Sequence, residues 1–259
     1  MVEQDRGSDV RATARVVAVQ DDLVEIEALD DEHGKPAPLT KNEVVFICPT
    51  APNERGEQER LKAEILRVRG RIADAQVYES TRGVAIGDPV EQTHEMLSVE
   101  LGPGLLGRVY DGLQASLPDV ASRYGIFLPR GADVAALDTT QKWSFVPSVK
   151  FGAEVTAGDT LGTVQEGRFT HKIMVPFGWS GRFRVSWIQQ GGFDARAVIA
   201  RLADDAGNER AVSLTQKWPV RRSLSASLLK RSLSKRLFPS EPVVTTQRLI
   251  DTFFPIARG

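Results

Sequence analysis

Near its amino end the chain alternates apolar and polar positions at period two in a series of short runs. VRATARVVAV at residues 10–19 is followed by LVEIEAL, in which Val24, Ile26 and Ala28 alternate with Glu25 and Glu27. EVVFICP from Glu43, EILRVRGRI from Glu64 and DAQVYES from Asp74 continue the rhythm. Alternation of this kind sets one face of a strand on a core and the other in water. The strings DEHGKPAP, PTAPNERGE and STRGVAIGDP separate the runs, and their Gly, Pro, Asn and Asp residues are turn formers. Short strands at regular spacing, with no long helical pattern between them, predict a small closed β-barrel over residues 1–95. Closure leaves no sheet edge open.

The texture changes between Met96 and Leu117. A strand-like MLSVEL runs into Gly102-Pro103-Gly104-Leu105-Leu106-Gly107 and then RVYDGLQ, which can start a helix, so residues 96–117 read as a crossing between domains. A second β-rich stretch follows over residues 118–202, with segments KWSFVPSVKFGAEVTAGDTLGTV, HKIMVPFGWSGRFRVSWI and AVIARL. From Ser223 to Phe238, Leu224, Leu228, Leu229, Leu233, Leu237 and Phe238 recur at helical spacing with Lys230, Arg231, Lys235 and Arg236 opposite. That pattern predicts an amphipathic helix, read as a surface helix docked on its own domain because charge runs mark solvated faces. The fold class is therefore mainly β: a barrel, a β-rich insertion, and the start of a further domain over residues 203–259.

Composition narrows the function classes. At 259 residues and 41% hydrophobic content the chain can bury more than one core. A formal charge of −1 argues against general binding to nucleic acid, which needs an excess of cations to displace phosphate counterions. The charge is uneven, with seven acids and no base from Asp21 to Glu32, and seven Lys or Arg and no acid from Lys217 to Phe238. Cys48 is the only cysteine, so no internal disulfide can form. With histidines only at 33, 94 and 171, no Cys/His cluster has metal-ligand spacing. The opening MVEQDRGSDVRA lacks an apolar export signal, and runs such as VVFIC are too short to span a bilayer. These features predict a soluble, cytoplasmic protein with no metal and no cofactor of its own.

Two motifs invite a chemical reading. Gly102-x-Gly104-x-x-Gly107 follows a strand, like the turn that binds dinucleotides, but Pro103 has no N–H to offer a pyrophosphate and no βαβ series follows. A structural hinge is the better account. The stretch Val149–Leu202 has the rhythm of a lipoyl or biotinyl carrier domain, with Lys172 as the candidate for modification, but Lys172 abuts the strand IMVP and lacks the usual hairpin setting. Cys48 ends an apolar strand and reads as a buried, inert thiol. His94 and His171 show no carboxylate at triad or ligand spacing and read as structural. No catalytic residue is predicted: no G-x-S-x-G, no H-E-x-x-H and no G-x-x-x-x-G-K-[ST] phosphate-binding loop occurs.

Five strings in one order carry a resemblance: SVELGPGLLGRVYDGLQ from Ser98, KWSFVPSVKFG from Lys142, GDTLGTVQE with HKIMVP between Gly158 and Pro176, QKWPVRR from Gln216, and PSEPVVTTQRLIDTFFPIARG from Pro239. Together they resemble the catalytic A subunit of V-type and A-type rotary ATPases. The resemblance implies a barrel, a crossing marked by Gly102, Pro103, Gly104 and Gly107, an outward-reaching insertion, and an incomplete α/β nucleotide-binding domain. Asp251, Phe253, Phe254 and Pro255 would lead into a phosphate loop, and the chain would stop just before it. ATP and Mg²⁺ would belong to the intact subunit, B subunits and a peripheral stalk would be the partners, and the membrane would be reached only through the complex. Where many family members have T-G-Q-R, this chain has Thr245-Thr246-Gln247-Arg248. A carrier or binding module and a non-catalytic regulatory paralogue are the alternatives.

Overall fold

The structure, a computed structural model, describes residues 12–31, 33–52, 56, 58–125, 130–132, 134–226, 228–229 and 238–258. Six strands close into the barrel: β1 (Ala14–Gln20), β2 (Leu23–Ala28), β3 (Glu43–Ile47), β4 (Leu61–Arg69), β5 (Ile72–Val77) and β6 (Pro89–Met96). Their order is β1-β2-β5-β4-β3-β6, and every pairing is antiparallel. The inward positions are those the alternation marks. Val24 and Ile26 face Val16, Val45, Ile47, Leu61, Ile65 and Val90, and the remaining space is filled by Ala14, Ala63, Ala73 and Ala75. A barrel of so few strands is narrow, and alanine is the side chain that lets opposite walls approach. The strand that closes it, β6, pairs with both β1 and β3, although only Val90 of its eight residues is buried.

Beyond the barrel come β7 (Ser98–Leu101) and α1 (Leu117–Tyr124). The helix begins at Leu117, not within RVYDGLQ. There Asp111 accepts the N–H groups of Leu113 and Ala115, and Gln114 takes φ +65, so the segment is spent on a tight turn. The next eight strands are β8 (Lys142–Pro147), β9 (Glu154–Thr156), β10 (Thr160–Glu166), β11 (Phe169–Met174), β12 (Arg182–Ile188), β13 (Gly191–Asp194), β14 (Val198–Asp204) and β15 (Glu209–Ser213). They form two four-stranded sheets, β11-β10-β8-β13 and β15-β14-β12-β9. Register shifts at Leu161 and Ile199 let neighbouring residues of one strand serve different cores. Leu161 packs with Val185, Ala200 and Leu202, whereas Val164 and Ile199 pack with Phe145, Trp143 and Ile173.

The β-rich insertion therefore differs from its predicted bounds of 118–202: its strands start at Lys142 and end at Ser213. The missed strand, β15, carries the pattern exposed-exposed-exposed-buried, which gives no alternation to read. β16 (Gln216–Pro219) then returns to pair antiparallel with β7.

The compact unit containing the barrel, both sandwich sheets and the β7–β16 ribbon ends at Arg222, not near residue 202, and a second unit starts at Ser223. In the second unit, β17 (Glu241–Val243) pairs antiparallel with β18 (Ile256–Arg258), and α2 (Arg248–Phe253) lies between them in sequence. No residue of α2 is buried. Most of the amphipathic helix predicted for Ser223–Phe238 lies outside the described residues.

Candidate functional site

The most organised cluster of polar groups lies where the Gly102–Gly107 turn meets the sandwich. Its centre is Glu166, the last residue of β10, whose side chain is buried. Gly167 follows it with φ +57, a backbone that glycine adopts freely, and so turns the chain from β10 into β11. That turn aims the Glu166 carboxylate back at the crossing. One oxygen, Oε1, accepts the N–H groups of Gly104 at 2.7 Å and Leu106 at 3.2 Å. The other, Oε2, lies 2.9 Å from His171 Nδ1 on β11.

Each glycine of the turn has its own reason. At Gly102 a Cβ would lie 2.6 Å from Thr215 Cγ2 and 3.3 Å from the carbonyl oxygen of Leu214, so a side chain there would force Thr215 to shift. Gly104 takes φ +102 and faces Trp143, while Gly107 takes φ +77 in open space. Pro103 is buried between them. The backbone N–H groups of this glycine-rich turn thus hold an anion, but the anion is the protein's own carboxylate. Against the turn lies an apolar cavity of about 210 Å³, walled by Leu101, Leu105, Ile173, Met174, Phe177 and Leu214.

A second buried carboxylate, Glu64 on β4, anchors the other end of the same region. Arg221 donates Nε and Nη2 to its two oxygens at 2.9 and 2.8 Å, and Tyr78 Oη donates to it at 2.7 Å. The Arg221 hydrogen bonds hold the Glu64 carboxyl below its ordinary range, against burial, which raises it. Burial first, then the neighbouring Glu64, pushes the Tyr78 phenol upward. A carboxylate whose folded value is depressed stabilises the fold above its unfolded value near 4.3 and loses that contribution as pH falls through the depressed value. Arg221→Ala is thus expected to lower the melting temperature at pH 6, with the gap to the unaltered chain narrowing as pH falls from 5 to 3. A gap that stays constant through that window would show that the pairing does not set the acid response.

Two models of known domains match this chain. The "ATP synthase alpha/beta family, beta-barrel domain" matches residues 51–94, within the barrel, and the "ATPsynthase alpha/beta subunit barrel-sandwich domain" matches residues 134–221, spanning the sandwich and β16. The chain belongs to the ATP synthase alpha/beta family. It is 44% identical over 251 residues to the V-type ATP synthase alpha chain of Borrelia recurrentis, a match covering 96% of this chain and 40% of that one. It is 50% identical over 201 residues to alpha chain 1 of Treponema pallidum, covering 77% and 33%, and 45% identical over 222 residues to the alpha chain of Treponema denticola, covering 85% and 36%. The chain therefore spans 33–40% of the length of these relatives.

Within this family architecture the remaining sequence candidates fall into place. Lys172 sits within β11 opposite Thr163, while the hairpin tip is Gly167–Arg168, so the geometry of a carrier lysine is not met. His94 and His171 do have carboxylate neighbours, contrary to the reading from spacing: Nδ1 of His94 lies 3.3 Å from Glu43, and Nδ1 of His171 lies 2.9 Å from Glu166. Glu43 lies 51 residues from His94 on another strand, whereas Glu166 lies five residues from His171 across the β10–β11 hairpin. Cys48 is half-buried, not fully buried, and burial followed by the nearby Glu91 pushes its thiol up to about 11, which leaves it a poor nucleophile. Among the described residues, no group of three or more His, Cys, Asp and Glu is placed to hold a metal ion, and no helix is long and apolar enough to cross a membrane.

Asp251 organises the turn before α2. It accepts Oγ1 and N–H of Thr245 at 2.7 and 3.0 Å and the N–H of Thr246 at 3.0 Å, and the Thr245 hydroxyl leads the hydrogen bonds that hold its carboxyl below the usual range. Phe253 and Phe254 are each 70% exposed, and Pro255 is exposed beside them. The departure from T-G-Q-R falls at a telling place, because Thr246 takes φ +67, a region that strains a β-branched residue and suits glycine. Thr246→Gly is expected to slow amide exchange at Thr245 and Asp251 by about threefold. Unchanged or faster exchange there would contradict a strained turn.

Proposed function

We propose that this chain acts as the N-terminal region of the catalytic subunit of a V-type rotary ATP synthase or ATPase. The observation that carries the reading is the joint one: two domains of the ATP synthase alpha/beta family in order along one chain, with 44% identity to a V-type alpha chain across 96% of it. In this reading the barrel is scaffold. It packs beside the barrels of B-type subunits in a ring and holds the assembly together while nucleotide sites elsewhere open and close. The sandwich reaches outward to a peripheral stalk, and the complex sits at the cytoplasmic face of the membrane without this region touching lipid.

ATP and Mg²⁺ belong to the intact subunit. The 259 residues contain no G-x-x-x-x-G-K-[ST] loop, whose backbone nest and lysine hold the β- and γ-phosphates. The chain by itself accordingly does not hydrolyse ATP in this account, and the Asp251-to-Pro255 segment serves as the lead-in to that loop. A chimera tests the assignment, with this chain replacing the matching region of the Treponema pallidum alpha chain, co-expressed with that organism's remaining soluble subunits. Retained assembly and ATP hydrolysis within about threefold of the parent support it. A chimera that folds but neither assembles nor turns over ATP rejects it.

A further inference from the structure

The turn Gly102–Gly107 reads from sequence as a hinge, but its surroundings describe the opposite. β7 and β16 form a two-stranded ribbon, Leu101 opposite Gln216 at one end and Ser98 opposite Pro219 at the other. The Ser98–Pro219 end is fixed to the barrel. Val220 N–H donates to Leu97 O at 2.8 Å, and Arg221 makes its two bonds to Glu64, 157 residues away in sequence, on β4. The Leu101–Gln216 end is fixed to the sandwich. Gly104 and Leu106 donate to Glu166, Phe177 N–H donates to Gln216 Oε1 at 3.0 Å, and the Phe177 ring meets Trp218 edge-on at 5.9 Å.

The middle is fixed as well. The outer edge of β7 would leave the N–H and C=O of Glu100 without a strand partner, and the Gln114 amide supplies both: Oε1 accepts Glu100 N–H and Nε2 donates to Glu100 O, each at 2.7 Å. Gln114 holds φ +65 in that position. Arg196, just after β13, adds an ion pair to the Glu100 carboxylate at 3.3 Å. A hinge needs a segment that can change its dihedrals without breaking buried bonds. Here such a change breaks bonds to a buried carboxylate at either end.

We propose that the β7–β16 ribbon is a strut, clamped by Glu64 to the barrel and by Glu166 to the sandwich, which makes the two bodies open and close as one cooperative unit. The strut transmits a disturbance of one body to the other and leaves no flexible joint between them to absorb it. This holds whether or not the family function proposed above is correct, because it concerns only coupling within the chain.

Hydrogen exchange on the full chain tests it, with the disturbance placed in one body and read in the other. Ile26→Val removes one methylene-sized group from the barrel core, where Ile26 is fully buried. It should speed exchange of the barrel amides on β2 and β5 by about two- to tenfold. In an otherwise unaltered chain the sandwich amides on β10 and β14 should accelerate by a similar factor. With Arg221→Ala and Glu166→Ala also present, the barrel response should persist while the sandwich response falls to about 1.5-fold or less. Should that variant fail to fold, Arg221→Lys with Glu166→Gln keeps size while weakening both clamps, and the transmitted factor should fall part-way. Sandwich amides indifferent to Ile26→Val in the unaltered chain, or a transmitted factor equal in clamped and unclamped chains, would overturn the proposal.

Discussion

Gly162→Ala is expected to destabilise the sandwich by at least about 3 kcal/mol. A Cβ at Gly162 would lie 2.5 Å from both Cε2 and Cζ of Phe145 and 2.5 Å from the carbonyl oxygen of Val146. Neither obstacle can move cheaply. The Phe145 ring is fully buried among Trp143, Val164, Ile173, Ile199 and Leu214, and the carbonyl belongs to β8, the strand paired with β10 at this point. Relief would require either an off-rotamer ring in a close-packed core or a separated ladder. The urea midpoint read by tryptophan fluorescence reports this, since all four tryptophans, at 143, 179, 187 and 218, lie in the sandwich or the ribbon. Gly178→Ala is the control: nothing lies within 4 Å of its Cβ position, and its effect should stay within about 0.5 kcal/mol.

Glu166→Ala should cost about 3 kcal/mol by the same measurement, and Glu166→Gln only about 1 kcal/mol. Alanine leaves the N–H groups of Gly104 and Leu106 and the ring nitrogen of His171 without their acceptor. Glutamine keeps an oxygen for the two N–H groups, and its amide can donate to His171 Nδ1 if the ring changes tautomer, so what is lost is the charge assistance. The ordering of the two variants is the informative part. Equal effects would mean that the negative charge, and not the satisfaction of donors, is what the crossing requires.

How much of this was legible in the sequence depended on sequence distance. Strand β2 follows from period-two alternation, with Val24, Ile26 and Ala28 buried, whereas β3 is a mostly apolar run buried at four of its five positions, and the run EILRVRGRI from Glu64 crosses the turn at Gly70 that separates β4 from β5. The closing strand β6 shows no such alternation, since PVEQTHEM buries only Val90 and has no pattern to find. The sandwich strand β15, with three exposed residues before Val212, is missed for the same reason, which sets the end of the predicted insertion too early. The Gly102–Gly107 turn was recognisable as special, but its occupant was not. Glu166 lies 62 residues from Gly104, and nothing local marks it as the carboxylate that the turn encloses. Arg221 and Glu64 are farther apart still. In Gly102-x-Gly104-x-x-Gly107 the sequence shows where a backbone nest can form, and only the fold shows that the protein fills it itself. At Thr246 the string marks only a departure from T-G-Q-R, and the positive φ of +67 is seen in the fold alone.

The proposed ring-forming role in a V-type catalytic subunit is tested most directly by native mass spectrometry after co-expression with a V-type B subunit. It predicts heteromeric species in which this chain and the B subunit are both present, formed through the barrel and persisting without added nucleotide. If the folded chain remains monomeric at micromolar concentration while the B subunit is present and folded, the central claim is contradicted.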